Sequence, residues 1–518
     1  MNRWTAFLGR CLPPKVLLGI SVFAAVAVTA LSMLLLEDVY RDVGNVYATC
    51  SRLFAEGHFR EAMNPALPIL PIVSAGTLAW ITGLDALDAL ILSGGIFFVA
   101  QIPLLYVFLK RFLSPQLAAW GVLLTVFAPK IIRFTVAGMP ESPRNFFLLL
   151  TVWGICLLFD RPRWSRALLV AVGMVGFTLS RSEGFLVSLG LFPVMVLLLL
   201  AAHKGETWKK RVSIAVGYPL LAGCFFVLLL LPRIGQNLQE TGYPTPDARL
   251  NRYLHRTVMP DRPLRDLSEH SVRYTEVSSA VVPEKIPVWK RLCMVLQQSV
   301  RGGYEVYMAF AGIGLLALLF AGWIRSRLPT GWSPTMSLQK SGRDLLLILA
   351  VYVLHSICYF PIKPAYRYYV FLIPLLMPLT MTGIALVWSI LEKFRCQIPA
   401  GIGALLLLIG QLENGCLIFL EQNRDYQAGG RWIRDYFQKG KSLRILNYNS
   451  YVVYWIDGTI VNFFYEGPST RPEYASDFDV AIVDPEDERI LNVFRSRKDV
   501  EELRHPFEKT VTVFRKKQ

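Results

Sequence analysis

Charge is scarce in this sequence. Only 18% of its 518 residues are Asp, Glu, Lys or Arg, against roughly a quarter in a soluble domain, so an ordinary soluble fold is excluded. Histidine is equally sparse, with six residues. His58, His255 and His270 have no ligand spacing, and no required metal is read from them. The eight cysteines (Cys11, Cys50, Cys156, Cys224, Cys293, Cys358, Cys396, Cys416) form no CxxC pair, and none follows residue 420. A disulfide framework and a zinc module are thereby excluded. No internal repeat or low-complexity tract is evident.

Apolar length is abundant. Hydrophobic residues make up 53% of the chain and aromatics 12%, and the mean hydropathy is +0.41. A spanning helix needs about 20 predominantly apolar residues. Such runs occur at 15–36, 86–109, 115–131, 145–159, 165–180, 184–202, 212–232, 303–324, 344–362, 368–391 and 398–419. The expectation is a polytopic α-helical membrane protein of about eleven spans. The first run has a basic flank and exceeds the apolar core of a signal peptide, so it reads as an uncleaved anchor.

Positive residues are retained on the cytoplasmic side of short loops. Arg3, Arg10 and Lys15, then Lys110 and Arg111, Arg161 to Arg166, Lys204 to Arg211, Arg325 to Arg343, and Lys393 with Arg395 all fall on one side. That side is expected to be cytoplasmic, with the N-terminus. The net charge of +16 is concentrated there, which fits anionic lipid rather than nucleic acid.

Three segments stand outside the spans. Residues 37–85 open with "EDVYRDVGNVYATCSRLFAEGHF", in which Val46, Cys50, Leu53 and Phe54 share a helical face. The proline-broken "NPALPILPIVSAGTLAWITG" follows. Both read as helices at the interface, the second interfacial or re-entrant. Residues 233–301 form a long polar outer segment. From 420 the chain changes character: a helix ("YQAGGRWIRDYFQKG"), short strands ("LRILNY", "TIVNFF", "DVAIVD"), a helical stretch near 487–496 and a last strand "KTVTVF" predict a small extracytoplasmic α/β domain. The division is thus 1–419, in the membrane, and 420–518.

Polar groups gather at the outer ends of the spans: Asp38, Arg41, Asp42 and His58; Lys130, Arg133, Glu141 and Arg144; Arg181 and Glu183; Lys363, Tyr366, Arg367, Tyr368 and Tyr369. Ionisable residues at membrane depth line cavities or pathways. Carboxylates beside guanidinium and ammonium groups suit one chemistry: a carboxylate takes a proton from an acceptor, and the cations stabilise charge on a departing phosphate. Ion pairing at the interface would look the same. Arg181 and Glu183 fit a simple pair equally well, and the tyrosines fit an interfacial aromatic belt. His355, inside an apolar run, is expected to be packed and hydrogen-bonded.

Several stretches resemble one superfamily. "RDVGNVYATCSRLFAEG" followed by "NPALPILPIV" looks like the first outer loop of GT-C glycosyltransferases. The nearest group is that of protein O-mannosyltransferases and aminoarabinose transferases of bacterial membranes. "GMPESPRNFFLLL", "LSRSEGFLVSLG", "YRYYVFLIPLLMPLTMTGIALV" and the tail's "AGGRWIRDYFQKG" and "DFDVAIVD" resemble later motifs of that group. The resemblance implies a GT-C-like bundle and an inverting enzyme of a bacterial inner membrane. It would take a sugar from a polyprenyl-phosphate donor and pass it to a lipid, glycan or protein acceptor.

Carried over by position, Asp42 becomes the acceptor-activating base and Glu141 a second catalytic acid. Val43 follows Asp42, and Tyr47 lies five residues on, a departure from the group's pattern that leaves Asp38 as the alternative base. Asp42 is favoured because it starts a helix, whose dipole favours the ionised form. Arg367 and Arg181 would bind the donor phosphate, with Lys130 and Arg133 in reserve. Tyr47, His58, Glu183, Tyr366 and Tyr368 would line the substrate. No cofactor is required, although some GT-C enzymes use a divalent cation, which here would bridge Asp42, Glu141 and the phosphate. The alternative readings are a carrier or flippase for lipid-linked sugars, a ligase or polymerase of lipid-linked glycans, and a catalytically inactive scaffold.

Overall fold

The computed structural model of the chain describes residues 12–35, 43–63, 67–242, 244–247, 287–320, 324, 338–359, 365–393, 410, 424–437, 444–448, 459–462, 478–509 and 511–517. Among these, seven helices are long and apolar enough to cross a membrane, or nine if each of two bent pairs is one span. The protein is a polytopic helical membrane protein with a small C-terminal domain.

Helix α1 (Pro14–Leu35) is followed, from Val43, by a π-helical turn (Val43–Ala48) and α2 (Thr49–Ala55), then α3 (Phe59–Ala62) and α4 (Ile69–Thr82). On α2, Cys50 is buried and Leu53 and Phe54 half-buried, while Glu56 just beyond is exposed. The amphipathic pattern therefore faces the protein. Helix α5 (Ala86–Leu109) starts at Asp85, whose carboxylate accepts from the Leu87 N–H at 2.9 Å.

The run read as one span at 115–131 is a broken pair, α6 (Pro115–Val126) and α7 (Pro129–Val136), bent by 56°. Pro129 opens α7 and has no N–H to continue the ladder of α6. Helices α8 (Glu141–Asp160), α9 (Trp164–Ser180) and α10 (Glu183–Ala202) follow. Helix α11 (Trp208–Thr241) does not stop with its apolar run at 232 but continues for nine more residues, six of them polar. Arg233 and Asn237 in that extension are buried. Arg233 donates to the carbonyls of Met63 (2.9 Å), Leu67 (3.1 Å) and Pro246 (3.1 Å), so the helix is prolonged by binding the first-loop backbone.

The segment read as beginning a span at 303 is preceded by an amphipathic helix, α12 (Val288–Gly302), which meets α13 (Glu305–Leu319) at 103°. Tyr304 makes the corner with φ of 64°, a strained value for a side-chain-bearing residue. Helix α14 (Leu338–Tyr359), a 3₁₀ turn (Tyr366–Tyr369) and α15 (Leu372–Lys393) complete the described bundle. The eleventh expected span, 398–419, lies outside the described residues except for residue 410.

The tail opens with α16 (Arg424–Phe437). Strands β1 (Arg444–Tyr448), β2 (Thr459–Asn462), β3 (Val480–Val483), β4 (Val500–Leu503) and β5 (Thr512–Lys516) form one sheet of order β2-β1-β3-β5-β4, with α17 (Glu488–Ser496) between β3 and β4. Strand β1 is parallel to β2 and β3, while β5 is antiparallel to β3 and β4. Alternation along β3 sends Val480 and Ile482 to Ile433 of α16, and Ala481 and Val483 to Ile490 and Phe494 of α17. Helices therefore cover both faces. Strand β4, "VEEL", is the element not expected from the sequence: it is short, and two of its four residues are acids.

Helix α8 is about 30 Å long at 1.5 Å per residue and carries a polar network at each end. At its C-terminal end Arg111 donates to Asp160 (2.6 Å) and to Asp344 (2.9 Å), tying α5, α8 and α14 together. Burial works against the charge of Arg111, but Asp160 and Asp344 outweigh it and raise its pKa. The other end of α8 is where the expected site residues meet.

Candidate active site

Glu141 is the first residue of α8 and 1% exposed. Among the described residues, neither of its carboxylate oxygens has a hydrogen-bond donor. It faces Arg181, whose Nη1 is 3.6 Å from Oε1.

Arg181 sits in the break between α9 and α10. Its Nε donates to Glu183 at 3.1 Å and its Nη2 to the Tyr359 hydroxyl at 3.3 Å. Burial works against this charge, yet Glu183, Tyr359 and Glu141 hold the guanidinium protonated. The sequence left open whether Arg181 pairs with Glu183 or serves a ligand. Arg181 does pair with Glu183, and it also faces Glu141.

The Tyr366–Tyr369 turn supplies the opposite wall. The ring of Tyr368 stacks on Tyr359, with centroids 4.4 Å apart and planes at 12°. The same ring carries the guanidinium carbons of Arg181 at 4.8 Å and Arg367 at 5.3 Å. Two arginines from distant parts of the chain thus share one aromatic ring, each held by a cation–ring contact.

Lys130 lies at the start of α7. Its Nζ donates to the Arg301 carbonyl and pairs with Glu305 at 3.2 Å, and it stands 5.7 Å from the rings of Tyr304 and Tyr366. It joins α7 to the α12–α13 corner. Arg133, one turn on, is exposed. Tyr47 is buried in the π-helical turn, and His58 is exposed at the start of α3. Neither is brought to the arginine pair by any contact described above. Asp38, Arg41, Asp42 and Lys363 lie outside the described residues.

Two participants were not visible as such in the sequence. Tyr359 looked like part of an apolar run, although its spacing of four from His355 would place both rings on one helical face. Ser182 donates to Asp247, bringing the start of the segment after α11 beside Arg181. Among the described residues no three His, Cys, Asp or Glu side chains are grouped as a metal site.

The chain shares its fold with solved structures of ArnT and of an archaeal oligosaccharyltransferase. ArnT from Cupriavidus metallidurans bound to undecaprenyl phosphate superposes with a TM-score of 0.59 at 13% identity, over 96% of this chain and 97% of that one. The archaeal oligosaccharyltransferase AglB from Archaeoglobus fulgidus, in complex with an inhibitory peptide and a dolichol-phosphate, gives 0.55 at 10% identity, over 93% and 70%. The Archaeoglobus fulgidus oligosaccharyltransferase in complex with Zn and sulfate gives 0.54 at 11%, over 93% and 70%. No profile of a known protein family matches the chain, and no curated protein matches it in sequence.

Proposed function

We propose that this protein is an integral-membrane glycosyltransferase that moves a sugar from a polyprenyl-phosphate donor to an acceptor at the outer face, with inversion. The observation that carries this reading is the pairing of Arg181 and Arg367 on the Tyr368 ring beside Glu141, a buried carboxylate with no hydrogen-bond donor to either oxygen among the described residues. The shared fold supports it, since structures of that fold hold undecaprenyl phosphate and dolichol-phosphate.

The chemistry follows from these groups. The acceptor's O–H or N–H attacks the anomeric carbon from the face opposite the phosphate. The bond between that carbon and the phosphate oxygen breaks, and its electron pair leaves with polyprenyl phosphate. The acceptor's proton passes to Asp42, with Asp38 as the alternative base. Arg367 and Arg181 stabilise the charge on the departing phosphate. Glu141 accepts from the hydroxyl or amino groups of the sugar and holds Arg181 in place. Of a cation's donor set only Glu141 is described, and Arg181 already faces it, so no step is routed through a metal. The membrane is the bacterial inner membrane, and the end of α8 bearing Glu141 faces outward with the C-terminal domain. The acceptor is a lipid, a glycan or a protein, and the sugar a hexose or pentose.

Purified protein in lipid, given polyprenyl-phosphate sugars and a lysate of acceptors, is expected to release free polyprenyl phosphate. Asp42→Asn should reduce turnover by at least about 10²-fold, the scale of a general base, with melting temperature unchanged. Arg367→Ala should weaken donor binding. Donor binding without turnover in the wild type would instead support the carrier.

A further inference from the structure

The arginine turn is held from behind by two buried residues that have no part in the chemistry above. Arg144, on α8, is fully buried. Its Nη1 donates to the Tyr368 carbonyl at 3.2 Å and its Nη2 to the Arg367 carbonyl at 3.4 Å. Its Nε and Nη2 also donate to Asn145 Oδ1 at 3.2 and 3.0 Å, which fixes the plane of the guanidinium. His355, on α14, is also fully buried, and its Nε2 lies 3.0 Å from the same Tyr368 carbonyl. A carbonyl oxygen only accepts, so Nε2 carries the hydrogen. Nδ1 then carries none and needs no acceptor, in keeping with its lack of a partner. The imidazole is wedged against Phe371 at 4.4 Å and Tyr359 at 5.1 Å.

From these contacts we infer that Arg144 and His355 are positioning residues for the donor phosphate, acting through the backbone of Arg367 and Tyr368. The Tyr368 carbonyl, on which donors from two helices converge, belongs to the Tyr368–Tyr369 peptide; the Arg367 carbonyl, which Arg144 also holds, belongs to the peptide between the residue whose guanidinium meets the phosphate and the ring that carries Arg181. Rotation of these two peptides would turn the Arg367 and Tyr368 side chains. The turn's own bonds run from the Tyr368 N–H to the Ala365 carbonyl (3.0 Å) and from the Val370 N–H to the Arg367 carbonyl (3.4 Å), and the two buried donors add to them at the Tyr368 carbonyl. This inference rests on the reading of Arg367 and Arg181 as phosphate ligands.

The test uses full-length protein in nanodiscs, with undecaprenyl phosphate alone as the probe. His355→Phe keeps a ring in the wedge and removes the donor. His355→Gln restores an N–H near the Nε2 position, and His355→Asn, one carbon shorter, places its amide near Nδ1. Loss of one hydrogen bond of ordinary strength predicts roughly a five- to tenfold weaker Kd for His355→Phe and His355→Asn, with His355→Gln within about twofold of wild type. Melting temperature is measured alongside, because packing alone would lower it in every variant without sorting them by donor position. If wild type and His355→Phe bind equally while Arg367→Ala binds poorly, the positioning role is wrong and the phosphate site stands. If wild type does not bind the probe, the phosphate site itself is wrong. Should His355→Phe fail to fold, the His355→Gln and His355→Asn pair decides: equal affinity overturns the inference, and weaker binding by His355→Asn supports it.

Discussion

At the scale of single residues, the polar groups at the N-terminal end of α8 differ in what they are free to do. Lys130 is spent on the Arg301 carbonyl and Glu305, and Arg144 on backbone carbonyls. Among the described residues nothing donates a hydrogen bond to either oxygen of Glu141, although Arg181 faces it. The C-terminal domain gives a contrasting use of charge. Arg495 donates to Glu502 at 2.8 Å and Arg497 to Asp499 at 2.5 Å, and each bond lowers its carboxylate below its ordinary pKa, 4.5 for Glu502 and 3.8 for Asp499. Because the folded values are depressed, this stabilisation is present above the ordinary values and is lost as pH falls through the folded ones. Thermal unfolding of the domain from neutral pH to about pH 3 should show falling stability below pH ~4.5, and Arg495→Met should flatten the part due to Glu502. The effect is small, since the pairs are solvated.

At the scale of elements, the arginine turn depends on how closely α13 and α15 approach, because α15 begins just after the turn. Their backbones meet at two glycines. A Cβ on Gly314 would run into the Leu379 carbonyl, and one on Gly383 into the Phe310 carbonyl. Small residues permit such contact between helices in lipid. Gly314→Ala and Gly383→Ala are each expected to destabilise by about 1–3 kcal/mol, the usual cost of overpacking, and Gly314→Leu should abolish folding. Melting in detergent beside a Gly312→Ala control, where a Cβ meets nothing within 4 Å, checks this.

At the scale of the whole molecule, the two ends of α8 divide the labour. One end is closed, with Arg111, Asp160, Asp344 and Arg343 paired among themselves. The other gathers the Glu141 carboxylate and the Arg181 and Arg367 guanidiniums, the groups proposed to meet the donor. Sidedness is testable directly. In a cysteine-free chain, Lys498→Cys in the C-terminal domain should react with an impermeant maleimide in intact cells, and Lys209→Cys only after lysis. Labelling with the opposite pattern would invert the proposed topology.

The sequence by itself determined the class of the protein, because burial in a bilayer demands long apolar helices and these are legible as runs. It also located the helices of the first loop and the α/β tail, whose apolar residues form a short unbroken run in β3, covered on both faces, and follow a helical period in α16 and α17. The breaks at Pro129 and Tyr304 were not legible as bends, since hydropathy records which residues are apolar and not the direction of the axis. The extension of α11 past 232 escaped for a related reason: Arg233 is polar, and only folding brings the first-loop carbonyls it binds within reach. For the site, the sequence named Glu141, Arg181, Arg367 and Tyr368 as residues at span ends. That they meet on one ring, that Tyr359 completes the stack, and that Arg144 and His355 hold the turn from behind were decided by tertiary structure. Arg144 reaches the turn across 224 positions and Arg181 reaches Tyr359 across 178, and contacts at such separations leave no periodic trace in a single chain.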